Sequence, residues 1–122
     1  FYAYAPEKYE YPINRYAMET KRIFDVADRR LAESRFLAGD EYTIADMANF
    51  PWLAPFVEGN IYNDARTFLS IEGYTHVARW VDEIKARPAV KRARIVNKVW
   101  GDADTQLKER HSAADFAGKR LG

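Results

Sequence analysis

The sequence contains no cysteine among its 122 residues. This absence excludes disulfides, thiolate metal sites and a cysteine nucleophile in this chain. Long apolar runs are also absent, since none reaches the roughly 20 residues that a membrane-spanning helix needs. No sign of charge dominates, because the net charge is +1, so no global field favours nucleic acid or acidic lipid. These absences predict a soluble, cytoplasmic protein with no nucleic-acid partner and no membrane partner.

Groups that could carry chemistry are scarce as well. The two histidines, His76 and His111, lie far apart and lack the spacing of metal ligands. No serine lies in a nucleophile-elbow sequence, and no glycine-rich stretch could cradle a phosphate. The acidic residues form no pair in an apolar setting that would suggest a general acid and base. The sequence therefore predicts no catalytic residue and no metal site in this chain.

Apolar and aromatic residues are abundant, at 48% and 15% of the chain. This balance is typical of one globular domain with a substantial core. Strand-like alternation is missing, and the apolar spacing is helical, which predicts an all-α fold. The first helix is predicted over residues 12–33, where Pro12 either opens it or kinks a longer helix that begins near Glu7. Its apolar stripe consists of Ile13, Tyr16, Ala17, Thr20, Phe24, Ala27 and Leu31.

A second helix is predicted from a capping box at Thr43 and Asp46. The Thr43 hydroxyl can accept the backbone N–H of Asp46, and the Asp46 carboxylate can reach back to the N–H of Thr43. The helix that follows is apolar on nearly all sides, which predicts a central and buried position. Pro51 is expected to kink this helix, and Pro55 to strain or end it.

The rest of the chain divides into shorter elements. A connection over residues 58–73 is predicted to hold a short helix around residues 64–69, and an amphipathic helix follows over residues 74–86. Pro88 can begin another short helix. From Gly101 onward the sequence is polar and mixed in charge, which predicts a tail that either wraps over the domain or is partly disordered. The predicted organisation is therefore a helical domain over residues 1–100 and a polar tail over residues 101–122.

A basic run with no intervening acid leaves two interpretations open. It could dock a partner or nucleic acid, but it lacks the aromatic interleaving of a nucleic-acid platform. We therefore favour a solvated helix face for these residues: Lys85, Arg87, Lys91, Arg92, Arg94 and Lys98.

An aromatic cluster opens the chain, and it too has two readings. Tyrosine presents a flat apolar body and a hydroxyl that needs a partner, so the cluster could line a pocket for an apolar substrate. It could equally form a core or an interface. Nearby, the Arg15 guanidinium could bind a carboxylate ligand through two parallel hydrogen bonds, or form a surface salt bridge. The cluster comprises Phe1, Tyr2, Tyr4, Tyr9, Tyr11 and Tyr16.

Three stretches resemble the C-terminal, all-helical domain of glutathione transferases. AGDEYTIADMANFPW, at residues 38–52, looks like the segment before and within that family's sixth helix, with its capping box. YTHVARW, at residues 74–80, and ARPAV, at residues 86–90, look like the next helix and the turn after it. The similarity narrows to the bacterial Nu-class, named for glutathione-dependent disulfide-bond reductase activity. The stretches that carry this narrower resemblance are FYAYAP (1–6), YPINRY (11–16), KRARIVN (91–97) and QLKERH (106–111).

The resemblance implies a helical bundle that completes a glutathione cleft. It implies that Arg15 and Tyr11 bind glutathione, which is a substrate, and that Tyr2 and Tyr4 line the pocket for the second substrate. Thr43 and Asp46 are expected to have a structural role as the capping box. The intact protein is expected to be a homodimeric transferase or disulfide reductase.

Two departures from the family limit this expectation. The chain lacks the family's N-terminal thioredoxin-like domain, where most glutathione contacts lie, and the first helix of the helical domain looks cut. We therefore expect this chain alone to be inactive. An alternative is a non-catalytic helical module that mediates protein interactions, and a further one is an inactive remnant.

Overall fold

A computed structural model describes residues 1–121, and the predicted tail residue Gly122 lies outside the described residues. The chain forms two compact units, one from Phe1 to Asp82 and one from Glu83 onward. Residues 1–121 contain no β-strand, and one isolated bridge pairs Phe36 with Gly39. The all-α class expected from the periodicity is confirmed. The predicted domain boundary at residue 100 stays a prediction.

Five α-helices follow one another along the described chain: α1 (Glu10–Glu33), α2 (Ile44–Glu58), α3 (Ala65–Phe68), α4 (Thr75–Lys85) and α5 (Pro88–Ala93). Short 3₁₀ turns lie at Ile71–Gly73, Ala103–Thr105 and Ala113–Phe116. The first helix begins two residues before the predicted Pro12. Pro12 is tolerated there because the first amides of a helix have no partner within the helix.

Aromatic rings from α1, α2 and α4 form a cluster within the core of the first unit. Phe24 of α1 and Trp80 of α4 are fully buried. The Phe24 ring packs 5.3 Å from the ring of Tyr74 and 5.8 Å from that of Phe56. Phe50 of α2 meets Trp80 edge to face, with ring centroids 6.1 Å apart. Because α1 and α4 each contribute one large ring and α2 contributes two, this cluster fixes the faces that the three helices turn inward.

Helices α1 and α4 also cap each other. The carboxylate of Asp28, in α1, accepts the backbone N–H groups of His76 and Val77 at 2.9 Å each, at the start of α4. In return, the guanidinium of Arg79 donates to the carbonyl oxygens of Leu31 at 3.1 Å and Arg35 at 2.9 Å, at the end of α1. Backbone groups left without a helical partner are thus satisfied from the neighbouring helix.

Helix α2 differs from the expectation in two respects. It passes through Pro51 and Pro55 and ends at Gly59, whose φ of 70° suits glycine at a helix terminus, so Pro55 does not end it. It is also not buried on all sides: within the described chain Trp52 is 77% exposed and Ile44 is 80% exposed. The apolar composition of α2 therefore supplies both a core face and an outward apolar face.

In the second unit, backbone hydrogen bonds and ion pairs connect the residues that follow α5. Leu107 is buried, and its N–H donates to the carbonyl oxygen of Lys98 at 2.9 Å. The Arg120 guanidinium pairs with Asp102 at 2.6 Å and with Asp104 at 3.3 Å. The described residues of the predicted tail are therefore tied to one another rather than left without contacts.

Candidate functional site

The first eight residues, which we call the aromatic strap, form no helix or strand yet are fixed by ring stacking. Tyr2 stacks on Phe68 of α3, with ring centroids 4.4 Å apart and an interplanar angle of 11°. Tyr4 meets Tyr62 edge to face at 5.6 Å. Phe1 also stacks, on Tyr16 of α1, at 5.4 Å. The strap therefore bridges α1 and the region around α3 through its aromatic side chains.

A cavity of about 590 Å³ lies beneath the strap. This volume is within the range of small-molecule binding sites. No side chain that lines it carries a charge, and half of the lining residues are aromatic. The lining residues are Phe1, Tyr2, Ala3, Tyr4, Ile13, Tyr16, Ala17, Thr20, Pro51, Trp52, Phe56, Ile61, Tyr62, Ala65, Phe68 and Leu69. The two residues that the family resemblance assigns to the second-substrate pocket, Tyr2 and Tyr4, thus both face this cavity.

The polar contact at the edge of the cavity joins the strap to the start of α3. The Tyr2 hydroxyl donates to Asp64 Oδ1 at 2.5 Å. This hydrogen bond, together with burial and the negative charge of Asp64, raises the pKa of Tyr2 above its ordinary value. Tyr2 therefore remains a neutral hydrogen-bond donor near neutral pH.

Tyr11 and Arg15 are not among the residues that line the cavity, and both are exposed on the surface of α1. The two residues are four positions apart, so their side chains project from one side of the helix. Tyr11 is 82% exposed, and neither residue lines the cavity. The structure thus divides the four residues assigned by the resemblance into a pair on the surface of α1 and a pair at the cavity.

The Arg15 guanidinium makes one weak ion pair among the described side chains. Its Nη1 lies 3.9 Å from Glu19 Oε2, which is an ion pair but beyond hydrogen-bond distance. Glu19 is instead bound by Arg22, at 2.6 and 2.9 Å through two nitrogens, and this hydrogen bonding lowers the pKa of Glu19. Among the described side chains, Arg15 therefore keeps its hydrogen-bond donors available for an anion.

Asp46 is the most buried ionisable group of the first unit, at 0% exposure. Its Oδ2 accepts the N–H of Thr43 at 2.9 Å, while the Thr43 hydroxyl accepts the N–H of Ala45 at 3.3 Å, and together these bonds form a capping box. Its Oδ1 accepts the N–H of Leu37 at 3.0 Å and the indole N–H of Trp80 at 2.8 Å. The carboxylate thus joins the α2 cap, the preceding loop and α4.

The pKa of Asp46 lies below its ordinary value. Burial alone would raise it, but the donors from Leu37, Thr43 and Trp80 together outweigh burial by stabilising the ionised form. A lowered folded-state pKa means that the native state gains stability above the ordinary value near 3.8, and loses it as the pH falls through the folded-state value.

We therefore expect the free energy of unfolding to fall as the pH drops from about 5 towards 3, the range in which an ordinary aspartate becomes protonated. Asp46→Asn should show a shallower decrease, because the amide does not titrate. Urea unfolding of both proteins at a series of pH values measures the two slopes. Equal slopes would show that other carboxylates control the acid sensitivity.

Several site residues escaped the sequence analysis. Asp64 was expected only at the edge of a short helix, and Tyr62 was assigned no role. A structural signal is the backbone at Tyr62 and Asn63, where φ is 54° and 58°, since consecutive left-handed residues other than glycine are rare. Sequence spacing could not have predicted the contact between the strap and the residues around α3, because the two segments lie about 60 residues apart in the chain.

Two negative findings complete the description. Within residues 1–121, no three His, Asp or Glu side chains cluster closely enough to hold a metal ion. In the described part of the chain, no helix combines the length and apolar character required to cross a bilayer.

Comparison with known proteins gives consistent results. The family described as Glutathione S-transferase, C-terminal domain, matches residues 6–88. The disulfide-bond oxidoreductase YghU of Escherichia coli is 57% identical over 116 residues, covering 95% of this chain and 40% of that protein. The disulfide-bond oxidoreductase YfcG of the same bacterium is 37% identical over 89 residues, covering 73% of this chain and 38% of that protein.

A solved structure is also similar. The glutathione transferase YghU from Streptococcus pneumoniae, complexed with glutathione, has a TM-score of 0.73 and 44% sequence identity, and the match covers 82% of this chain and 37% of that one. The chain thus spans about two fifths of the length of the relatives it matches.

Proposed function

Because this chain belongs to the glutathione S-transferase C-terminal domain family, we propose that it forms one side of a glutathione cleft in a glutathione transferase or disulfide-bond reductase. The resemblance drawn from the sequence is confirmed at the level of the family. Two relatives are named disulfide-bond oxidoreductases, and the similar solved structure contains glutathione. In the proposed reaction, the glutathione thiolate attacks a disulfide sulfur, forms a mixed disulfide and releases the other sulfur as a thiolate.

The observation that supports this proposal most directly is the exposed and loosely paired guanidinium of Arg15. Glutathione bears two carboxylates, and a guanidinium can bind a carboxylate through two parallel hydrogen bonds. Arg15 is exposed on α1 and has only a loose ion pair with Glu19, which is itself bound by Arg22. Tyr11 lies one turn before Arg15 on the same face, and we assign it to the same cleft. We therefore propose that this chain contributes by binding and orienting glutathione.

The cavity beneath the strap supports a site for the second substrate. Tyr2 and Tyr4 line it, together with other aromatic rings and no charged side chain. An apolar wall next to a glutathione cleft would hold the partner of the thiolate and raise the rate by proximity. We assign Tyr2 and Tyr4 to this second site.

We also propose that the full-length protein is a cytoplasmic homodimer. Apolar side chains exposed on α1, including Met18 at 70% and Val26 at 48%, support an association face. Sedimentation of the full-length protein would measure its oligomeric state, and a monomer at micromolar concentration would exclude a stable dimer.

Arg15→Ala in the full-length protein is expected to raise the glutathione dissociation constant by about tenfold or more, because charge-assisted hydrogen bonds contribute roughly 1.5–3 kcal/mol. Titration calorimetry measures it. Arg29→Ala is a matched control, since Arg29 is an exposed arginine of the same helix with its own ion pair to Asp25 at 2.8 Å. The control should bind glutathione normally. An unchanged constant for Arg15→Ala would return Arg15 to the role of a surface salt bridge.

A further inference from the structure

Within the described chain, no backbone–backbone hydrogen bond involves residues 1–8, which form the aromatic strap. The side chain of Lys8 supplies hydrogen bonds to the strap backbone instead. The Lys8 ammonium donates to the carbonyl oxygen of Tyr2 at 2.6 Å, with Ala3 at 3.3 Å and Phe1 at 3.4 Å. An ammonium has three N–H donors, so one lysine can gather three carbonyl oxygens. Lys8 thereby curls the strap and holds its aromatic residues on one side.

A second polar contact, from the Asp64 carboxylate, also holds the strap. Asp64 accepts the Tyr2 hydroxyl at 2.5 Å while the Tyr2 ring lies flat on Phe68. The turn before Asp64 contains two left-handed residues, Tyr62 and Asn63, which places the Tyr62 ring against Tyr4. Backbone in this sparsely populated region persists where the surroundings hold it, and such positions cluster at binding sites.

The lining defines the chemistry of a ligand. Aromatic rings favour flat aromatic partners. A charged ligand would lose its hydration without gaining an ionic side-chain partner, because no lining side chain is charged. Asp64 at the edge would in addition repel an anion. The cavity therefore suits an uncharged aromatic group.

From these contacts we propose that Lys8 and Asp64 are positioning residues, which hold the aromatic strap over the cavity and thereby set its affinity for an uncharged aromatic ligand. Neither residue lines the cavity itself, so each acts through the strap. This inference rests on the proposed assignment of the cavity to the second substrate, and it adds the two residues that hold the strap in place.

The test uses the full-length protein and the uncharged probe N-phenyl-1-naphthylamine, followed by fluorescence. Lys8→Met and Asp64→Asn should each raise the probe's dissociation constant about three- to tenfold, as expected for loss of one or two hydrogen bonds. Lys8→Arg should recover part of the affinity, because it restores N–H donors. Lys21→Met, which replaces an exposed lysine of α1, should have no effect.

Two further measurements distinguish positioning from general stability. Chymotrypsin should cut the strap faster in Lys8→Met than in the wild type, while the glutathione dissociation constant should remain unchanged. Probe affinity that is the same in Lys8→Met and wild type, even with faster cleavage, would overturn the proposal. So would equal or tighter binding of the anionic analogue 8-anilinonaphthalene-1-sulfonate.

The proposed glutathione cleft and the proposed role of the strap can be refuted independently of each other. If Arg15→Ala leaves glutathione binding unchanged, the proposed cleft is wrong, whereas the probe experiment still reports on the cavity. If Lys8→Met leaves probe binding unchanged, the strap proposal is wrong, and the role of Arg15 is not affected.

Discussion

Replacing Asp46 with alanine is expected to destabilise the fold by roughly 3–5 kcal/mol, because a fully buried carboxylate is removed and its buried and half-buried donors lose their acceptor. The donors are the backbone N–H groups of Leu37 and Thr43 and the indole of Trp80. Loss of a helix cap alone costs about 1 kcal/mol, so most of the expected effect comes from the contacts outside the cap. The melting temperature should fall by more than about 10 °C.

The chain supplies a matched control in its second capping box. Asp115 accepts the N–H of Ser112 at 2.7 Å in the same arrangement, but it is exposed. Asp115→Ala should therefore change the melting temperature far less than Asp46→Ala. Glutathione affinity of Asp46→Ala, measured well below its melting temperature, should equal that of the wild type. Reduced affinity with unchanged stability would show that Asp46 belongs to the binding site instead.

Asp28→Ala is expected to cost about 2 kcal/mol, because two N–H groups at the start of α4 lose a charged acceptor. Both hydrogen bonds are 2.9 Å long and connect α1 to α4 across 48 and 49 residues. The loss therefore weakens the helix start and the packing of α1 on α4 together. Urea denaturation of the full-length protein measures the change in the free energy of unfolding.

Asp25→Ala provides the comparison for this second variant. Asp25 lies in the same helix and pairs with Arg29 on the surface, so its removal should have little effect. If Asp28→Ala unfolds with the same midpoint as Asp25→Ala, the capping of α4 by Asp28 contributes nothing measurable. If Asp28→Ala lowers the free energy of unfolding in the wild type but not in a protein that already lacks the Arg79 side chain, the two caps act as one unit.

The sequence was sufficient to predict features that depend on near neighbours. The helical period located α1 and α4, and Thr43 followed three residues later by Asp46 predicted where α2 begins. It was insufficient where partners are remote: no spacing links Asp46 to Trp80, 34 residues later. Composition was also misleading for α2, since apolar residues at Ile44 and Trp52 predicted burial on every side, whereas the structure exposes them.

The candidate site shows the same division. From the sequence, the aromatic cluster could line a substrate pocket or form a core or an interface. The structure places Tyr2 and Tyr4 beside a cavity, and their role in binding a substrate stays a prediction. The weak pairing of Arg15 depends on Arg22 binding Glu19 more closely. Residues at i, i+3 and i+4 of a helix are all within reach, so spacing alone cannot tell which pair forms.

The reciprocal caps between α1 and α4 have a consequence for the order of folding. The end of α1 is capped by Arg79 and the start of α4 by Asp28, so each terminus gains these protein partners only when the other helix is in place. Bringing together segments nearly 50 residues apart costs chain entropy before any contact compensates for it. We therefore expect these two helix ends to form in a single cooperative event, late in folding, rather than as independent helices that dock afterwards.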